Sequence, residues 1–200
     1  MKSCLSFIIK IIVLILVFFG LVHLGVIDFI KNKIEERTSI SQEKLLDETK
    51  DIVDLSDIDD EYSIATNFEI LKNRMIAAEH NATSQKMVMI EPRKEDILTK
   101  ADITDENVQE KIENALQKYK YKPVKFNKVQ VVKHGEFEGL GQQIPYVKLN
   151  IEIANLPVKD MEGIVGVAEL KNGKNLIIIS ANEKGKYSQI ITEAFYKKVK

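Results

Sequence analysis

The sequence predicts an α+β protein in which an N-terminal transmembrane helix precedes a two-layer domain of a helix, a four-stranded antiparallel meander and a second helix. Three observations support this prediction: an apolar run at the start of the chain, alternating apolar and polar residues in the second half, and amphipathic stretches on both sides of the alternating region. They divide the chain into a membrane anchor (1–30), an acidic connector (31–62), a helical segment with a short apolar run (63–103) and an α+β domain (104–200).

The predicted anchor carries no formally charged residue between Ile11 and Ile27. With its flanks, a helix over this run crosses a hydrocarbon core of about 30 Å at a rise of about 1.5 Å per residue. The run is longer than the apolar core of a cleaved signal peptide, which has about 7–15 residues. We therefore predict an uncleaved, single-pass signal anchor. Lysines flank both ends and leave its direction open, but the short N-terminal tail favours a domain outside the cytoplasm, as in a bacterial envelope protein.

Charge is distributed unevenly behind the anchor. Residues 31–117 contain 12 Lys or Arg and 21 Asp or Glu, whereas residues 118–200 contain 15 Lys, no Arg, and 8 Asp or Glu. A lysine-rich surface without arginine or a recognisable nucleic-acid module argues against nucleic acid as a partner. Either the acidic part is a solvated spacer before a lysine-rich domain, or the basic face meets an anionic partner such as lipid or a polyanion.

Segment 63–103 is predicted to be mainly helical. Ile64, Phe68, Leu71 and Met75 are spaced i, i+4, i+7 and i+11, which is typical of one apolar helix face. The run 87–90 is short and apolar and is closed by a proline, so it is either a short strand or a last helical turn.

The domain over 104–200 begins with a helix that we expect Thr104 to cap and Pro123 to end. A bulge at Asn127-Lys128 reconciles the apolar positions of the first strand. Asn172-Gly173 indicates a hairpin with a type I′ turn. The expected strands cover 124–131, 147–153, 164–170 and 176–179, and the expected final helix covers 185–199.

This order of elements resembles the cystatin-like fold in outline, and NTF2-like folds share the same elements. The resemblance is one of element order alone, with no shared motif. It therefore implies an architecture and no activity.

The loop predicted between Gly135 and Pro145 is the first candidate contact region. Its glycines would let the backbone approach a ligand, and its apolar side chains would be exposed for a partner or a lipid surface. The alternative is an ordinary long hairpin loop. The residues concerned are Gly135, Phe137, Gly139, Leu140 and Gly141.

Lys184 and Lys186 form the second candidate region, because they are predicted to lie at the start of the final helix. Two ammonium groups beside free helix N–H groups would attract an anion. A solvated helix start is the alternative.

The sequence contains few residues in the patterns that are typical of catalytic or metal sites. Cys4 is the single cysteine and lies in the predicted anchor, and His80 and His134 have no spacing typical of metal ligands. We therefore predict no catalytic residue, no metal site and no cofactor. The predicted function is a membrane-anchored, non-catalytic binding or scaffold protein with a protein partner in the envelope. The alternatives are an envelope enzyme that uses Glu136, Glu138 and Glu152, and a lipid- or anion-binding module that uses the basic domain.

Overall fold

The computed structural model describes residues 42–70, 73–92, 98–110, 126–153 and 160–200. In these ranges the chain forms one seven-stranded, fully antiparallel sheet, three short helices that are described in full, and the beginning of a further helix at 108–110. The strands are β1 (Tyr62–Ile70), β2 (Asn73–His80), β3 (Lys86–Glu91), β4 (Phe126–Gly139), β5 (Gln142–Ile153), β6 (Met161–Glu169) and β7 (Asn175–Glu183). The helices are α1 (Gln42–Thr49), α2 (Lys100–Thr104) and α3 (Gln189–Lys198).

The sheet consists of two meanders joined in its middle. Its strand order is β1-β2-β3-β7-β6-β5-β4, so β1 and β4 are the edge strands. The join is the antiparallel pairing of β3 with β7, in which Val88 lies opposite Ile179. The long connection from β3 to β4 therefore crosses from the middle of the sheet to its far edge.

The predicted fold class is wrong. The four C-terminal strands do pair in chain order, but they are one half of a larger sheet and not a four-stranded meander between two helices. The part of segment 63–103 that was predicted to be helical forms the β1–β2 hairpin instead, whereas the run 87–90 belongs to β3, which is the first of the two alternatives given for it. Ile64 pairs with Ala78 on one sheet face, while Met75 belongs to the other face, so these two residues do not share a surface. The protein is therefore mainly a β-sheet protein and not the α+β protein that was expected.

The predicted membrane anchor, residues 1–30, lies outside the described residues, as does the connector up to residue 41. Across the ranges that are described, no helix combines the length and apolarity that a membrane crossing requires. The predicted single-pass transmembrane helix thus finds no support in the structure.

One face of the sheet, the α3 face, holds the main core. Side chains such as Ile76, Met89 and Ile178 align across neighbouring strands and pack against α3 and the chain around residues 46–58. Tyr196 of α3 is fully buried, its hydroxyl donates to the Ile179 carbonyl at 2.8 Å, and burial raises the pKa of its phenol. The ring of Phe195 lies 5.1 Å from that of Tyr196 in an edge-on arrangement. These two aromatic side chains fix α3 on the sheet.

The opposite face, the α2 face, is covered at β5 and β6 by residues 98–110. Leu98, Ile103 and Val108 of this segment are each 2% exposed. Thr99 begins α2 by accepting a hydrogen bond from the N–H of Asp102, whose carboxylate accepts one from the N–H of Thr99 in return. The cap is therefore Thr99, and the predicted cap, Thr104, ends α2 instead. Residues 108–110 are helical, and the rest of the predicted helix up to Pro123 lies outside the described residues.

The predicted loop between Gly135 and Pro145 is the end of the β4–β5 hairpin. Gly135 pairs with Tyr146, the strands continue to Gly139, and Leu140 and Gly141 alone form the turn. Both turn residues have positive φ, 50° and 68°, as a type I′ turn requires. The glycines thus belong largely to paired strands.

Two smaller turn predictions have different outcomes. The bulge at Asn127-Lys128 is confirmed, because Phe126 and Lys128 pair with consecutive residues of β5. The type I′ turn at Asn172-Gly173 is wrong, because Gly173 has a positive φ of 78° while Asn172 does not. The loop instead has the pattern of a type I turn followed by a left-handed glycine.

Candidate functional site

A cleft of about 370 Å³ opens between the β4–β5 hairpin and the end of α2 with the residues that follow it. It lies on the α2 face, near the edge of the sheet. Its lining combines apolar side chains with carboxylates, an imidazole and a hydroxyl, contributed by Ile103, Thr104, Glu106, His134, Gly135, Glu136, Pro145 and Tyr146.

Strand geometry places the polar side chains of β4 in this cleft. His134 pairs with Val147 and Glu136 pairs with Pro145, and residues two apart on a strand point to the same face. His134 Nδ1 lies 3.1 Å from the carbonyl oxygen of Ile103. A carbonyl only accepts, so Nδ1 carries the hydrogen in this contact. This contact links α2 to β4 across the cleft.

The floor of the cleft at Gly135 depends on the absence of a side chain. A Cβ at this position would lie 2.6 Å from both Cζ and Oη of Tyr146. The Tyr146 ring is buried on the α3 face and lies 5.8 Å from the ring of Phe137. Gly135 is therefore glycine because an aromatic ring crosses its backbone, and the floor is rigid.

The mouth of the cleft is acidic. Glu106 and Glu136 are both exposed, and no residue of the described ranges forms an ion pair with either of them. Glu138, the next residue on the same face of β4, differs because Lys197 of α3 lies 3.8 Å from its carboxylate. Two carboxylates on different segments, neither of them paired with a charge from the described residues, therefore face the same opening, which favours a cationic ligand.

The cleft adjoins the outer edge of β4, and the chain covers part of that edge itself. The Gln109 carboxamide accepts from the Val131 N–H at 2.6 Å and donates to the Val129 carbonyl at 3.2 Å. These two contacts are those that a neighbouring strand would make. At residues 132–138 the described part of the chain contributes no backbone hydrogen bond to the outer edge.

Among the residues predicted as contacts, only Gly135 lies in the cleft. Phe137 is 4% exposed and points into the core, contrary to the expected exposed loop tip. Leu140 is half-buried and its N–H donates to the Tyr196 carbonyl at 2.9 Å, while a Cβ at Gly139 would lie 3.0 Å from Tyr196 Cβ. Gly141 is the exposed residue of the turn. The hairpin tip is therefore largely occupied by contacts with α3.

The two predicted anion-binding lysines lie in the turn before α3 and not in its first helical turn. Lys186 pairs with Glu183 at 2.8 Å, and the Lys184 N–H donates to the Asp160 carbonyl at 2.7 Å. Ser188 caps α3 and accepts from the Ile191 N–H at 3.4 Å. The structure thus does not bring the lysines and the helix N–H groups together as one site.

The carboxylates and histidines named for catalysis or metal binding are dispersed. Glu136 and Glu138 share a face of β4, but Glu152 pairs with Lys128 near the other end of the hairpin, roughly 23 Å away along the strand at about 3.3 Å per residue. His80 lies on β2, with Nδ1 2.8 Å from the Thr83 hydroxyl. Within the described ranges, no three His, Cys, Asp or Glu residues are close enough to hold a metal ion together.

A buried polar cluster near the start of α3 is structural. Gln85, which is fully buried, donates from Nε2 to the Ser188 carbonyl at 2.9 Å and accepts the Ser188 N–H at Oε1 at 2.8 Å. Its Nε2 also lies 3.0 Å from both the Ser180 and the Thr192 hydroxyls. The polar atoms satisfy one another, so the cluster fixes α3 to β7.

Glu106, Gln109 and Tyr146 were not identified from the sequence as residues in or beside the cleft. Their only signal was a polar residue after a short helix or an aromatic residue in an alternating strand, and neither identifies a site before the strands are placed. No protein-family model matches this chain, and no curated protein matches it. Function is therefore inferred from the geometry of the cleft.

Proposed function

We propose that this protein is a non-catalytic binding domain whose ligand occupies the cleft between α2 and the β4–β5 hairpin. The observation that carries the proposal is a preformed cavity of about 370 Å³ that combines apolar walls with a few convergent polar groups. Ligand sites in proteins typically have volumes of about 300–1,000 Å³ and this mixture of lining residues.

The lining favours binding over catalysis. A general base is usually oriented by a second polar side chain and stands next to a nucleophile or a second carboxylate. Here the backbone carbonyl of Ile103 orients His134, and the exposed carboxylates of Glu106 and Glu136 are placed to attract a cation. Partner recognition, and not bond-breaking chemistry, is what such groups supply.

Amide and methyl NMR spectra of the full-length protein, recorded with a library of neutral and cationic small molecules, test the proposal. We expect shift changes from the strongest binders to cluster at Ile103, Thr104 and Tyr146. Thr104→Tyr should lower their affinity about tenfold because it fills the mouth of the cleft. Ala82→Tyr, at an exposed turn far from the cleft, is the matched control.

Binders whose shift changes lie elsewhere on the sheet would refute the proposal. The same holds for a Thr104→Tyr variant that folds normally and binds the same compounds with unchanged affinity.

A further inference from the structure

We propose that the ligand of the cleft is an extended peptide segment with lysine or arginine at alternate positions, and that it adds to the outer edge of β4 as an eighth strand. This inference rests on the proposed function and names the partner class and the mode of binding. It starts from the edge of the sheet, since a strand with unpaired backbone groups is a template for another extended chain.

The register of the hairpin shows which backbone groups point outward. Gly139 and Gln142 close a two-residue turn, so they form a hydrogen-bonded pair, and every second residue back along β4 also faces β5. The residues between them, His134, Glu136 and Glu138, therefore point their N–H and C=O groups away from the sheet. The Gln109 contacts at Val129 and Val131 show that the chain supplies strand-like partners to this edge just before this stretch.

The side chains along residues 134–138 determine which peptide sequence fits this edge. Residues that pair across two strands share a face of the sheet, so peptide residues opposite His134 and Glu136 would point into the cleft. Glu106 and Glu136 would face them there without a competing ion pair from the described residues. Intervening peptide residues would lie on the α3 face beside Gly135, where small or β-branched side chains fit the open backbone. Lysine alternating with valine is the simplest sequence that satisfies both faces.

A second copy of the chain fits this edge less well. Antiparallel pairing of two β4 strands across their acidic stretches would place Glu136 and Glu138 of one copy beside those of the other. Like charges opposite each other destabilise strand pairs. The bulge at Val132 also bends the edge next to the acidic stretch, which limits the length over which two copies could pair.

Fluorescence anisotropy with the full-length protein and a labelled, acetylated Lys-Val-Lys-Val-Lys-Val-Lys peptide tests the inference. We expect saturable binding that weakens with salt. The same peptide with glutamate in place of lysine should not bind. N-methylation of the lysine amides should lower affinity at least about tenfold, because these amides face β4, whereas N-methylation of the valine amides should leave it unchanged.

Two variants test the protein side of the contact. Glu136→Pro removes an N–H that points outward, so the β4–β5 ladder is kept while strand addition is blocked. Glu136→Lys should reverse the preference from the lysine to the glutamate peptide. Glu193→Lys, on the exposed surface of α3, is the matched control and should change affinity for the lysine peptide less than twofold. Thermal melts of each variant establish that it is folded.

Several results would overturn the inference. They are absence of binding, equal binding of the two N-methylated peptides, or normal binding by a folded Glu136→Pro variant. A concentration-dependent dimer that Glu136→Pro abolishes would identify a second copy as the occupant instead. If small molecules still shift Ile103 and Tyr146 while the peptide fails, only the strand-addition inference is refuted and the proposed binding function stands.

Discussion

Gln85 provides the sharpest test of how the sheet and α3 are held together. Its carboxamide has two hydrogens and one carbonyl oxygen, and all of them have partners among Ser180, Ser188 and Thr192 at 2.8–3.0 Å. Gln85→Ala removes about three net hydrogen bonds of about 1 kcal/mol each and leaves buried groups without partners. Allowing for partial relaxation, we expect the free energy of unfolding to fall by about 3–5 kcal/mol.

Urea denaturation of the full-length protein, followed by circular dichroism, measures this change. Gln143→Ala is the matched control because Gln143 is exposed near the end of β5, and we expect it to change stability by less than about 0.5 kcal/mol. A Gln85→Ala variant that loses less than about 1 kcal/mol would show that the cluster does not hold α3 on the sheet.

Three further predictions concern the rest of the fold. Gly163→Ala should destabilise the protein by about 1–3 kcal/mol in urea melts, because a Cβ there would overlap the Ser180 carbonyl oxygen; an unchanged midpoint would mean that β6 shifts freely. The second prediction concerns Glu162, whose ionisation is opposed by partial burial. The Lys148 ammonium, 2.5 Å from its carboxylate, together with the Gly185 N–H and the charge of Lys184, nevertheless holds the pKa of Glu162 below its ordinary value. The stabilisation by ionised Glu162 is complete above about pH 4.5 and is lost as the pH falls through its pKa in the folded state. Glu162→Gln should therefore make the free energy of unfolding depend less steeply on pH in the acid range, and an unchanged slope would contradict this. Thr99→Ala should cost about 1 kcal/mol by removing the cap of α2, and hydrogen exchange should show faster exchange in this helix than in the parent protein.

The strand β5 was predictable because apolar and polar residues alternate along it. Val147, Leu149 and Ile151 alternate with polar residues, and the structure buries the first set while leaving the second more exposed. This period of two has no helical alternative, so the strand can be identified from one sequence.

There is a physical reason why β2 was predicted to be helical and why β3 was left between a strand and a helical turn. Residues 75–78 of β2 and 86–90 of β3 are buried on both faces, so their apolar residues are continuous and carry no period of two. The spacing of four between Ile64 and Phe68 fits a strand and a helix equally well. A strand and a helix are distinguished here only by the pairing of β3 with β7, which is about ninety residues away in the chain.

The cleft could not be predicted from the sequence, because a glycine in a strand can indicate either a turn or a close contact with a neighbouring side chain. Gly135 and Gly139 were interpreted as loop residues, yet each is small because a tyrosine side chain occupies the space beside it. Glu106 and Tyr146 are forty positions apart and share a site only after α2 is placed on β5. From the sequence, His134 was considered only as a metal ligand without a typical spacing, and Glu136 only as a carboxylate of the alternative enzyme, so neither was linked to the residues that face it.

The carboxylates along β4 have a second explanation, because charged side chains also protect exposed edge strands from pairing with other chains. Protection does not depend on the sign of the charge, so lysine would serve as well as glutamate, and it requires no cavity beside the strand. Glu106 contributes nothing to the edge itself, yet it faces the same opening as Glu136 from a separate segment. Under protection alone, Glu136→Lys would leave peptide preference unchanged. Recognition requires an acidic cleft that a second segment completes, beside a stretch of edge to which the described residues supply no strand. Its dependence on the sign of the charge separates the two explanations.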